Sequence, residues 1–119
     1  MMSHANNQIR YFSDKATVLA SSYEDQIRDL LMLGDYLTED IANDWTLNDI
    51  NALEELVKEK LFFQKAIDLY IQIDSNFASV SNKGELFDKN IWTLEGLRTH
   101  PFWKIQRELA REFLNQIIL

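Results

Sequence analysis

The chain has 119 residues and contains no cysteine, one proline, three glycines and two histidines. Without cysteine there is no disulfide, no thiolate metal site and no thiol nucleophile, which suits a reducing compartment. Three scattered glycines cannot build a loop that cradles phosphate. His4 and His100 stand at opposite ends, and neither completes a Glu-x-x-His or His-Glu-x-x-His spacing, so no helical iron or zinc site is expected. The acids lack the alternating ligands and central glycine of a calcium loop. Ser3 beside His4 is the only adjacent serine–histidine pair, and it sits at a fraying terminus, whereas a serine nucleophile needs a fixed base and an orienting group. No apolar run approaches the ~20 residues that cross a bilayer. MMSHANNQIRYF has neither the basic nor the apolar segment of a signal peptide. The expectation is a cytoplasmic protein with no cofactor, no metal and no catalytic residues, and not an enzyme.

Bases are also scarce, and unevenly so. The net charge is −7, yet residues 24–59 hold eleven acids against Arg28 and Lys58, a local charge of −9, while the rest carries ten bases and eight acids. Acidity concentrated in this way speaks about partners. It disfavours direct contact with nucleic acid or an anionic membrane and favours a basic protein. At 46% hydrophobic and 12% aromatic residues, the chain has the material for a folded core, and its length fits a single domain spanning 1–119.

Apolar spacing is helical throughout, and strand alternation is nowhere sustained, so the predicted class is all-α: four main helices with a long central helix and an irregular connection before the last. The first helix starts after Ser3 and buries Ile9, Phe12, Ala16, Leu19 and Tyr23. Ser22 caps a second helix over 23–45, with Tyr23, Ile27, Leu30, Leu31, Leu37, Ile41 and Trp45 inward. The central helix runs from a cap at Thr46 or Asn48 to Asp74. Its narrow stripe of Ile50, Leu53, Val57 and Leu61 widens past Leu61, and Phe63, Ile67 and Tyr70 are expected among its most buried residues. SNFASVSNKG reads as a loop. Thr93 can cap a short turn. Thr99 caps the last helix, with Pro101 in its first turn, and Phe102, Ile105, Leu109, Phe113 and Ile117 inward. His100 reads as a helix-start residue. Core packing accounts for Trp45, Trp92 and Trp103. Lys104, Arg107 and Arg111 form a basic stripe that pairs with the protein's own acids or faces solvent.

The sharpest functional signal lies on the second helix. Opposite its buried stripe stand Asp25, Asp29, Glu39 and Asp40, with Met32 and Tyr36 four residues apart in their midst. An adaptable methionine and an aromatic ringed by carboxylates compose a binding spot for a basic partner. The competing reading is that Gly34 breaks the helix and both side chains tuck into the fold.

In size, lack of cysteine, helical make-up and the acidic 24–59 region, the chain resembles the small acidic immunity proteins of bacterial toxin systems, those of contact-dependent growth inhibition and the nuclease colicins. The resemblance implies a cytosolic, non-enzymatic inhibitor that neutralises one cognate basic toxin, usually a nuclease. It transfers no site residue, because no family motif is present to match. The alternative is a helical adaptor or regulatory subunit, a nucleic-acid mimic in one version, docking on a basic cellular protein.

Overall fold

The computed structural model describes residues 4–33, 38–81 and 83–118, the side chains of residues 4, 5 and 29–33 excepted. The architecture is all-α. Helix α1 (His4–Ala20) is followed by α2 (Tyr23–Leu33), α3 (Thr38–Asn43), α4 (Ile50–Lys58), α5 (Lys65–Val80), α6 (Leu94–Thr99) and α7 (Pro101–Leu114). Single 3-10 turns precede α4 (Leu47–Asp49) and α6 (Lys89–Trp92). The packing centres on α7, which lies against both α1 and α5, and α4 packs on α1 and α5.

Helix α1 keeps its expected face at Phe12, Ala16 and Leu19, which are fully buried, and at Ile9, packed partly against the core; Tyr23, expected on this helix, opens α2 instead and also packs partly against the core. Ser22 caps α2 through its hydroxyl, which accepts from the Asp25 N–H at 3.2 Å. Gln26 of α2 is buried and donates to the Val18 and Leu19 carbonyls, satisfying the exposed end of α1. The predicted continuity of a 23–45 helix, the role of Gly34 and the cap at Ser3 fall outside the described residues.

The single central helix over 46–74 is replaced by two. Helix α4 ends in a Schellman arrangement: Leu61 N–H donates to Leu56 O at 2.9 Å and Lys60 N–H to Val57 O at 3.0 Å. Lys60 takes the left-handed position that closes this motif, with φ 63°. Residues 61–63 then run extended beside the C-terminal segment, where Phe63 N–H donates to Gln116 O and Ile118 N–H to Leu61 O. An extended chain turns neighbouring side chains to opposite sides. Phe62 is therefore 1% exposed, and Phe63, expected in the core, is 54% exposed. Of the other two expected core residues, Tyr70 is fully buried and Ile67 half-buried. Neither Thr46 nor Asn48 makes a side-chain cap before α4. The SNFASV segment is helical, since α5 continues to Val80 and buries Phe77 and Val80.

Two aromatic groups fill the interior. Phe113 lies 5.6 Å from both Phe62 and Trp45 and 6.1 Å from Tyr70, ring centre to ring centre. Phe77, Trp92, Phe102 and Trp103 form the second group, with Trp103 5.7 Å from Phe77. All three tryptophans thus belong to the packing. On α7 the buried face is Trp103, Gln106, Ala110 and Phe113: Phe113 is inward as expected, while the three earlier positions are turned by one residue and Ile105 is 52% exposed. Pro101 opens the helix as expected, but the cap is His100 rather than Thr99: its Nδ1 accepts from the Phe102 N–H at 3.1 Å. Thr93 caps α6 through the Gly96 N–H at 2.9 Å.

Gly96 supplies a test of this corner. A helical Gly→Ala change ordinarily gains about 1 kcal/mol from propensity. Here a Cβ would overlap the Asn90 carbonyl oxygen and crowd Ile91 O. Gly96→Ala should therefore destabilise by about 1–3 kcal/mol in urea unfolding. A gain in stability would show that α6 does not approach the preceding turn this closely.

Candidate functional site

Helix α3, the C-terminal half of α5 and the connection carrying Phe87 and Trp92 line an open cleft of about 360 Å³. Its aromatic walls come from Trp45, Phe77, Phe87 and Trp92, and its carboxylates are Glu39 and Asp74. The framing bonds explain why the walls stand where they do. Thr38 at the start of α3 donates its hydroxyl to Trp92 O at 2.7 Å, holding α3 against the connection. Trp92 donates its indole N–H to Val80 O at 3.0 Å, which fixes the ring plane on the end of α5. Glu39 is exposed on the rim. Asp74 is partly buried, and loss of water around it pushes its carboxyl above the usual aspartate range. No ion pair engages either carboxylate among the described residues. Trp45 is 1% exposed, and its indole N–H has no acceptor among the described residues.

A second polar feature lies next to this cleft and has a different character. Lys15 is 6% exposed and its ammonium is saturated: it donates to Asp44 O, to Asp49 Oδ2 at 3.0 Å and to Tyr70 Oη at 3.1 Å. The Tyr11 ring lies 4.2 Å from the nitrogen, with Phe12, Tyr70 and Trp45 a little further out. Tyr70 donates its own hydroxyl to Thr46 O at 2.9 Å, and Tyr11 donates to Asp49 Oδ2 at 2.7 Å. Burial lowers the Lys15 pKa, opposed by Asp49. Burial alone would raise Asp49, but hydrogen bonds from Tyr11 and Lys15 and the lysine charge outweigh it, and the carboxyl ends below its ordinary value. Burial, then the bond to Asp49, lifts Tyr11 to about 12. A lysine nucleophile needs a free face toward substrate. This one spends every proton on its own fold, and the network is a strut joining α1, the 47–49 turn and α5.

Of the three residues singled out in sequence whose side chains are described, Asp25, Glu39 and Asp40, only Glu39 lines the cleft. Asp25 is paired with Arg28 at 3.0 Å on the exposed flank of α2. Asp40 is half-buried and engaged. The Asp29 and Met32 side chains, and Tyr36 altogether, fall outside the described residues, so the proposed methionine–tyrosine anchor does too. Asp74, Phe77 and Phe87 were missed. The signal available for them was the pair Asp74 and Phe77, spaced three apart, which becomes visible once the 75–80 segment is read as helix.

The basic stripe of α7 is divided. Arg107 is half-buried and donates to Gln26 Oε1 at 2.8 Å and to Leu97 O at 2.6 Å, so it serves the fold through an amide and a carbonyl rather than an acid. Lys104 and Arg111 face solvent. Among the described residues no three metal-ligating side chains converge, and no helix is long and apolar enough to cross a membrane. Comparison with known protein families, curated proteins and solved structures gives no match.

Proposed function

We propose that this chain is a non-catalytic immunity-type inhibitor that binds a cognate basic toxin domain, a nuclease, through its acidic surface. One observation carries the reading: the fold leaves six of the eleven acids of residues 24–59 exposed. Glu24, Glu39, Asp44, Glu54, Glu55 and Glu59 are exposed. Within that window the ion pairs among the described residues are Arg28–Asp25 and Lys58–Glu55, the latter at 3.8 Å with both side chains well exposed, besides the internal Lys15–Asp49 pair. Exposed pairs of that kind neutralise little. The outward field therefore attracts a cationic surface and speeds its docking. A buried, saturated lysine and a histidine used as a helix cap fit a binder better than a catalyst.

The test pairs this protein with the product of the gene directly upstream, the place where the toxin of an immunity gene would lie. Co-expression should restore growth, and the association rate should fall by about tenfold or more between low and high salt. Glu54→Gln/Glu55→Gln/Glu59→Gln should slow association severalfold with the melting temperature unchanged. Binding whose rate ignores both salt and these charges would sink the acidic-surface reading. Docking on a basic cellular protein without any protection of growth would favour the adaptor.

A further inference from the structure

The aromatic cleft beside α3 has the chemistry of a seat for one flat cation. We propose that it receives a single arginine side chain of the protein partner, its guanidinium lying on the aromatic lining and reaching the carboxylates of Glu39 and Asp74. The inference rests on the proposed function for the source of that arginine, but the cleft's preference for the side chain stands on its own geometry.

Three observations converge. First, the walls are π-faces, and guanidinium stacks on such faces while keeping its in-plane N–H groups free for carboxylates. Phe87 is 44% exposed and Trp92 partly exposed, so theirs are the rings open to the cleft, whereas Phe77 and Trp45 are buried; Trp92 is held by its bond to Val80 O. Second, the two carboxylates come from different elements, α3 and α5, so they line the cleft from two elements instead of standing along one helix face. Asp74 is partly desolvated and lacks an ion-pair partner among the described residues, a state that an arriving cation relieves. The buried cation Lys15 is already committed to Asp49 and sits 5.7 Å from the Trp45 ring. Third, about 360 Å³ is at the small end for a ligand pocket and suits one long side chain rather than a cofactor.

Arginine is favoured over lysine because only the planar fork can stack and span two carboxylates together. The exposed acids Glu54 and Glu55 border a separate hollow between α4 and α5 that has no aromatic wall, and they serve as the internal control.

The probe is Nα-acetyl-arginine amide, titrated into the isotope-labelled protein while the tryptophan indole N–H signals are followed. Trp92 and Trp45 should shift saturably, and Nα-acetyl-citrulline amide, its neutral counterpart, should bind at least about tenfold more weakly. Glu39→Gln, an exposed rim change that leaves the packing alone, and Asp74→Asn should each weaken binding by about threefold or more, whereas Glu54→Gln/Glu55→Gln should not. Equal response to citrulline, unmoved indole signals, or an equal loss in the Glu54→Gln/Glu55→Gln protein would overturn the cleft. Free arginine binding tenfold more tightly than the blocked amide would make the occupant a small molecule and overturn the partner assignment. Failure of the probe alongside salt-sensitive binding of the toxin domain removes the cleft and leaves the proposed function standing. Probe binding without any basic protein partner does the opposite.

Discussion

Phe62→Ala should lower the unfolding free energy by about 3–5 kcal/mol, whereas Phe63→Ala should change it by less than about 1 kcal/mol. The two phenylalanines are neighbours in the chain and differ only in which way the extended 61–63 segment points them. Phe62 is 1% exposed, with its ring 5.6 Å from Phe113 and 6.3 Å from Phe12. Truncation would leave a cavity between α1 and α7, whose rigid helices can collapse onto it only in part. Phe63 is 54% exposed, and its contribution to the fold is its backbone bond to Gln116 O, which alanine keeps. Urea unfolding of both variants decides the matter. The opposite order of costs would restore a continuous helix through this region, because only a helical phase sends Phe63 inward with Ile67 and Tyr70.

The reason a continuous helix reads so naturally from the sequence is Lys60. A helix closed by a Schellman motif ordinarily announces itself with glycine at the left-handed position. Lysine accepts that conformation at a cost, and the chain shows neither Gly nor Pro between Asn48 and Asp74. The mark that did exist was the change in apolar pattern at Leu61, from a narrow stripe to a broad arc. That change is where α4 stops and a differently oriented α5 begins. The same effect of special chemistry on periodicity turned α7. Gln106 occupies a core position because its amide donates to Ile73 O and accepts from Asn76. A polar residue at the centre of a buried face moves the apparent stripe onto its flanks, here Ile105 and Leu109.

What did read correctly was decided by local rules: the helical class, the inward face of α1, the caps at Ser22 and Thr93, proline at the head of α7 and the tryptophans in the core. The acidic window could be counted, and the exposure of its described members is consistent with that count. The cleft could not be read in advance, because it joins Glu39 to Asp74 across 35 positions and needs the α5 helix to reach the 75–80 segment. The inward turn of Asp49 was equally hidden. It stands in the acidic window like its neighbours, and only the lysine on another helix draws it in.

Asp49→Asn should cost about 3 kcal/mol near neutral pH, and Lys15→Met clearly less, no more than about 1 kcal/mol. The asymmetry follows from what each change leaves behind. Removing the Asp49 charge strands an ammonium whose side chain is 4% exposed, with a carbonyl and a phenol as its remaining acceptors. Removing the lysine strands a carboxylate that is 27% exposed and still accepts from Tyr11, while Met fills the stem's volume among the aromatic rings. The pH dependence carries the same signature. Asp49 has a folded pKa below its unfolded value of about 3.9, so its contribution is present above that pH and lost as pH falls below it. The gap between wild type and Asp49→Asn should therefore narrow in acid. Tyr11 is raised to about 12 by burial and by Asp49, so its contribution is present below about pH 10 and lost as pH rises toward 12. Lys15 is already lowered by burial, and without Asp49 it falls further and sheds its unpaired charge at a lower pH. Both effects narrow the gap in alkali as well. Stability measured against pH for the two proteins should thus differ most around neutrality and converge on either side. Equal costs for Asp49→Asn and Lys15→Met, or a gap that does not change with pH, would mean that the lysine's charge is a net stabilising element of the core rather than a burden that Asp49 relieves.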